Sequence, residues 1–164
     1  MPDQIIKKLQ FKNQTAVLIL ESPPEFEPVI TAWNKMTAPD MFINKKKKYG
    51  FVLCFVKTEK DVKNWAKTIT RQLEEDAVFW MAYPKKSSKK YEAGISRDNG
   101  WGHLGELGYE GVSLVAIDED WSAFRFRKAE KINTMIRRQE MAMSKTGKEK
   151  TVNKTNKAIK NGRG

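Results

Sequence analysis

Three short, almost wholly apolar runs constrain this chain most: TAVLIL at 15–20, FVLCFV at 51–56 and AVFWMA at 77–82. Each is too short for a buried helix. None alternates apolar with polar residues, as a half-exposed strand would. They read as strands buried on both faces, which needs covering layers above and below a sheet. The segments between them supply those layers. Thr58 stands where a helix N-cap should stand, with Glu59 and Asp61 in the first turn opposing the positive end of the helix dipole. Val62, Trp65, Ala66, Ile69 and Leu73 come after it at helical spacing as one apolar stripe. Asp3 can cap a short helix carrying Ile5, Ile6 and Leu9. After Glu21-Ser22-Pro23-Pro24, a helix bearing Val29, Ile30 and Trp33 starts either with Ser22 as cap or at Pro28.

Later segments change character. Residues 97–111 carry five glycines, each disfavouring helix by roughly 1 kcal/mol relative to alanine. One or two short turns are expected there, with Asp98 as a cap. Strands at Val112–Ile117 and Ser122–Arg127, joined by Asp118-Glu119-Asp120, should pair as an antiparallel hairpin. In the last strand Phe124 and Phe126 share one face, Arg125 and Arg127 the other. Strands alternating with helices predict an α/β domain over residues 1–128. Its sheet is mostly parallel and Rossmann-like, with helices on both faces and a closing hairpin that adds one antiparallel strand at an edge.

The net charge of +11 is unevenly spread. Residues 128–164 hold 11 Lys/Arg and 3 acids, a net of +8. Residues 129–143 can form one more helix on Ala129, Ile132, Ile136 and Met143. Residues 144–164 have almost nothing to bury and should be a basic tail, disordered alone. Arg137, Arg138, Lys145, Lys148, Lys150, Lys154, Lys157 and Lys160 could neutralise phosphates of a nucleic acid or another polyanion. No apolar run is long enough to cross a membrane. The single cysteine, Cys54, and the absence of a signal-peptide layout at Met1-Pro2-Asp3-Gln4 suggest a cytoplasmic setting.

The segments IIKKLQFKNQTAVLILESPPEF, YGFVLCFVKTEKDV, AVFWMAYPKKSS and GVSLVAIDEDWSAFRFR resemble a bacterial family of uncharacterised small proteins. Its members occur alone or appended to START or polyketide-cyclase-like domains. The resemblance covers residues 4–128. Its more specific pieces are Tyr83-Pro84-Lys85-Lys86, Arg97-Asp98 with Gly100-Trp101, and Trp121 through Arg127. The order strand–helix–strand–loop–hairpin is also similar to the second half of class I methyltransferases. That resemblance implies a glycine-rich turn after the first strand, where the backbone approaches S-adenosylmethionine closely. Here that turn is Glu21-Ser22-Pro23-Pro24, with no glycine and two prolines lacking N–H donors. No cofactor is therefore expected.

Ligands in such sheets sit beyond the carboxyl ends of the strands. Lys57, Glu21, Lys85, Lys86, Ser87 and Ser88 are the anion-binding candidates there. Arg97, Asp98, Trp101, Trp121, Arg125 and Arg127 are candidates for a motif surface. His103, the only histidine, lacks a nucleophile or orienting partner nearby in sequence, and with Cys54 makes too few ligands for a metal. With no catalytic cluster in view, the first expectation is a non-catalytic binding or adaptor module whose partner is a protein or a small anion. The alternatives are a nucleic-acid-associated protein acting through its tail and an enzyme acting on a small anion at the strand ends.

Overall fold

The computed structural model describes residues 2–132. The chain divides into two units after Arg127, and the first holds the sheet and its covering helices. The expected helix over 129–143 and the basic tail, with all eight of its cationic candidates, lie outside the described residues except for 129–132.

The three apolar runs form three adjacent strands, from one edge to the middle, of a five-stranded sheet. Its strands are β1 (Val17–Leu20), β2 (Tyr49–Phe55), β3 (Leu73–Pro84), β4 (Tyr109–Ala116) and β5 (Trp121–Lys128), in the spatial order β1-β2-β3-β5-β4. β1, β2 and β3 are parallel neighbours, while β5 runs antiparallel to β3, pairing Phe79 with Phe126 and Pro84 with Trp121. Every residue of β1 and β2 is buried, because both faces of the sheet are covered. On one face α1 (Pro2–Lys8) and α2 (Glu27–Asn34) bring Ile6, Val29, Ile30 and Trp33 onto Val17, Ile19, Phe51, Leu53 and Trp80. On the other, α3 (Glu59–Thr70) and the single turn α4 (Gly102–Gly105) set Val62, Ala66, Ile69 and Leu104 against Leu18, Val52, Cys54, Phe79 and Met81. Each of these large side chains contributes about 1.5–3 kcal/mol when withdrawn from water.

Several boundaries differ from the sequence reading, for local reasons. The helix after β1 is capped neither by Ser22 nor opened at Pro28. A 3-10 turn, Pro24–Phe26, intervenes with Pro23 as its cap, and Pro28 sits harmlessly in the first turn of α2. Leu73 does not close α3. It opens β3, which begins four residues earlier than the apolar run suggests. Between Tyr49↔Leu73 and Phe51↔Val78 the register shifts. The extra residues include Glu74, Glu75 and Asp76, with Asp76 at φ 63°. An acidic bulge in a strand looks like a loop in sequence. The hairpin also closes with β5 inside and β4 outside. Trp121 is thereby 1% exposed, not a surface aromatic, and Arg125 is half-buried with its guanidinium donating to Gln10. Asp98 does not cap α4. The cap there is Trp101, and Asp98 is an exposed partner of Arg97 at 3.6 Å.

Among the described residues no helix is long and apolar enough to cross a membrane.

Candidate functional site

One connection places the site. After β1 the chain passes through α2 and returns beside the outer edge of β1 for a single residue, Asp40. Ile19 N donates to Asp40 O at 2.9 Å, and Asp40 N donates to Val17 O at 2.8 Å, a parallel bridge to Leu18. The chain then crosses to the other side of β1 to form β2. The connection leaving β1 runs outward to Asp40 with α2 on one face of the sheet, and the connection leaving β2 runs the other way to β3 with α3 on the opposite face, so β1 and β2 flank a topological switch point. Crevices open beyond the carboxyl ends of strands at such points.

A crevice of about 590 Å³ lies there. Glu21, Ser22, Pro23 and Pro24 line it from the end of β1, and Phe55 and Lys57 from the end of β2. α3 adds Asp61, Asn64 and Trp65, while Tyr91 and Trp121 close the far wall. Glu21 holds φ at 59°, a left-handed conformation that costs a non-glycine residue roughly 1–2 kcal/mol. Strain of this kind concentrates where a chain must turn sharply beside a ligand site.

Two networks shape the walls. Thr58 and Asp61 form a reciprocal capping box at the start of α3. Asp61 Oδ2 accepts from Lys57 N at 2.8 Å and Thr58 N at 3.2 Å, and Thr58 Oγ1 accepts from Asp61 N at 3.1 Å. The second network ties three distant segments. Trp121 Nε1 donates to Glu25 Oε2 at 3.1 Å, and Lys90 Nζ donates to Glu25 Oε1 at 3.2 Å. Partial burial works to raise the Glu25 carboxyl. Hydrogen bonds from Tyr91, its own backbone, Trp121 and Lys90 outweigh that and hold it down to about 2. The same bond to Glu25, with burial, pushes the Tyr91 hydroxyl up to about 12. The Tyr91 ring packs on Trp121, with centroids 5.0 Å apart, and the Lys57 ammonium stands 5.0 Å from its centre. Gly94 lets this loop dock on the end of β2. Its N–H meets Lys57 O at 2.9 Å, and a Cβ there would lie 2.9 Å from the same oxygen.

Of the anion-binding candidates, the structure brings Lys57 and Glu21 together in the crevice. Lys85 N bonds Asp120 O, and Ser88 Oγ donates to Asp120 Oδ1 at 2.8 Å while accepting from Lys90 N and Tyr91 N. Ser88 thus serves as a turn-former. Lys86 and Ser88 border a shallower hollow on the same loop, and Ser87 is exposed. Arg97, Asp98 and Phe124 border a separate depression beside β4. Trp101 donates its indole N–H to Ser96 O at 2.7 Å and packs on Tyr83, Phe124 and Phe126. Arg127 pairs with Asp76 at 2.7 Å. His103 Nε2 lies 3.8 Å from Glu59 Oε2, a contact between α4 and α3. Sequence reasoning missed Glu25, Asn64 and Tyr91, and took Asp61 only as a helix acid. The Thr58-x-x-Asp61 pattern was the one available signal. Among the described residues no group of three or more His, Cys, Asp or Glu side chains could hold a metal.

No protein-family model matches the chain, and no curated protein does. Solved structures share its fold. An S-adenosylmethionine-dependent methyltransferase from Aquifex aeolicus aligns with TM-score 0.50 and 10% identity, over 76% of this chain and 88% of that one. The N-methyltransferase NodS from Bradyrhizobium japonicum aligns with TM-score 0.51 and 10% identity, over 77% and 93%. A methyltransferase from Clostridium acetobutylicum aligns with TM-score 0.50 and 8% identity, over 77% and 90%. At these identities the likeness is one of fold. It corrects the expectation of a non-catalytic binding or adaptor module, because these fold-mates are methyl-transferring enzymes.

The fold therefore raises S-adenosylmethionine as a cofactor, and the residues at the switch point do not fit it. The turn after β1 has the handedness of a glycine turn at Glu21 but carries a side chain there. Pro23 and Pro24 have no N–H to offer.

Proposed function

We propose that this chain is an enzyme of the methyltransferase fold that transforms a small molecule seated in the switch-point crevice. Lys57 is its anchor for a carboxylate or phosphate. The observation that carries this reading is the coincidence of the crevice with the divergence of the chain from β1. Phe55, Trp65, Tyr91 and Trp121 offer apolar walls to a planar body, and a few polar groups fix its orientation, the usual composition of a small-molecule site. Lys57 stands at the rim as a charge on a flexible stem, suited to a single-point contact.

The test has two arms. Ligand-observed NMR with benzoate, phenylpyruvate and indole-3-acetate reports occupancy. Binding of one of them, weakened roughly tenfold or more by Lys57→Ala, supports the reading, since a hydrogen bond to a charged group contributes about 1.5–3 kcal/mol. Methyl transfer is the reaction to assay first, because it is the activity the neighbours' names carry. If none of these probes binds and no donor is consumed with any of them, the reading is wrong.

A further inference from the structure

We infer that the switch-point crevice is closed to S-adenosylmethionine in the seat this fold provides, because the chain's own residues have removed or occupied the groups that would hold it. This rests on the crevice being the ligand site, and it holds whatever reaction that site performs.

Four features converge. A donor's amino-acid end needs free backbone N–H groups and close approach at the turn after the first strand. Pro23 and Pro24 remove two of those N–H groups, and the next turn is 3-10, three residues long, with no side-chain cap. Glu21 adds an exposed carboxylate to the same turn, facing where a donor carboxylate would have to come. The second source of backbone donors at the crevice, the start of α3, is filled from within. Asp61 Oδ2 takes both Lys57 N and Thr58 N, so the chain's own carboxylate sits where an external anion would. The fourth feature is the acid that receives ribose hydroxyls in nucleotide-binding sheets, roughly 20 residues past the turn. Asp40 stands near that spacing, but its Oδ2 already accepts from Tyr49 at 2.5 Å and from Lys47 at 2.9 Å. It also pairs with the middle of β1 and not its end. The chemistry left for an anionic group is that of side chains, chiefly Lys57.

The experiment uses the full chain, isotopically labelled and titrated with S-adenosylhomocysteine, an unreactive relative of the donor. The expected result is no saturable movement of the backbone amides of Leu20–Ser22, Glu25–Phe26 or Lys57–Asp61 up to millimolar ligand. Movement confined to other residues leaves the seat closed and places a donor elsewhere. Saturable shifts in those amides at micromolar ligand would overturn the inference. A second measurement isolates Asp61. In Asp61→Ala, checked for its native near-ultraviolet dichroism, inorganic phosphate should raise the melting temperature, against a matched-salt control, by more than it raises that of the native chain, because Lys57 N and Thr58 N are freed. An equal rise in both overturns the role given to Asp61. Failure of the proposed function reads differently, as loss of aromatic-carboxylate binding regardless of what S-adenosylhomocysteine does.

Discussion

Two carboxylate–tyrosine–lysine clusters in this molecule use the same groups for different ends. At the crevice, Glu25 bonds Trp121 and Lys90, 96 and 65 residues away. Beside the outer edge of β1, Asp40 bonds Lys47 and Tyr49, only 7 and 9 residues away. Tyr49 is fully buried at the start of β2, where burial and its bond to Asp40 push its hydroxyl up to about 12. Burial works to raise the Asp40 carboxyl, and Lys47 and Tyr49 hold it below its ordinary value. The local cluster finishes a loop whose ends already lie close, so its loss costs stability without moving distant parts. The long-range cluster staples three segments around the crevice, so its loss alters the site's shape. Span along the chain separates a structural knot from one that positions a site.

The largest effect should come from the residue that joins the long-range cluster to the core. Trp121→Ala removes a ring packed on Phe55 and Tyr91 and leaves Glu25 without its indole donor. It should lose about 3–5 kcal/mol in urea unfolding. Tyr49→Phe should come next, at about 1–3 kcal/mol, because it strips a donor from a carboxylate held beside the core. A smaller loss for Tyr49→Phe than for Tyr91→Phe would reverse the contrast between the two clusters. Tyr91→Phe should cost about 0.5–1.5 kcal/mol and let the Glu25 carboxyl titrate closer to its ordinary 4.5, read by carbon-detected NMR.

Acid sharpens the same contrast. The carboxyl of Glu25 is depressed in the fold, so its contribution is complete above about pH 4.5 and is lost as pH falls toward 2. Glu25→Gln should flatten that part of the stability profile. Both tyrosines are shifted the other way, so their contribution is full below pH 10 and fades between about 10 and 12. The smallest change belongs to Lys90→Ala. Its side chain is 58% exposed, and such a bridge is worth about 1 kcal/mol or less.

The fold was largely legible because its core strands advertise themselves. TAVLIL, FVLCFV and AVFWMA have no polar face to show water, and Thr58 to Asp61 mark a helix start by their own hydrogen-bonding needs. The features that stayed hidden depend on pairing. Leu73 joins β3 only because Tyr49 lies opposite it. Asp40 extends the sheet by one residue, too few for any period. Trp121 is interior because β5 inserts between β3 and β4, an order that hairpin chemistry does not set. The lining of the candidate crevice was legible at Glu21 and Lys57, which follow the ends of β1 and β2, and illegible at Glu25 and Tyr91, whose meeting is a product of the whole fold.

Cys54 pairs with Leu20 on one side and Met81 on the other near the end of β2. It is fully buried, and burial pushes its thiol well above the ordinary value. A thiolate must form and be reached before a disulfide reagent can react, and this one lies on the sheet face covered by α3 and α4, packed with Val62, Ala66, Ile69 and Leu104. The protein therefore carries a single intrinsic clock. Its labelling rate counts how often the layer of α3 and α4 lifts from the sheet, with no tag or engineered probe. A ligand in the crevice, which touches α3 at Asp61, Asn64 and Trp65, should slow that clock to the extent that it pins α3 to the sheet.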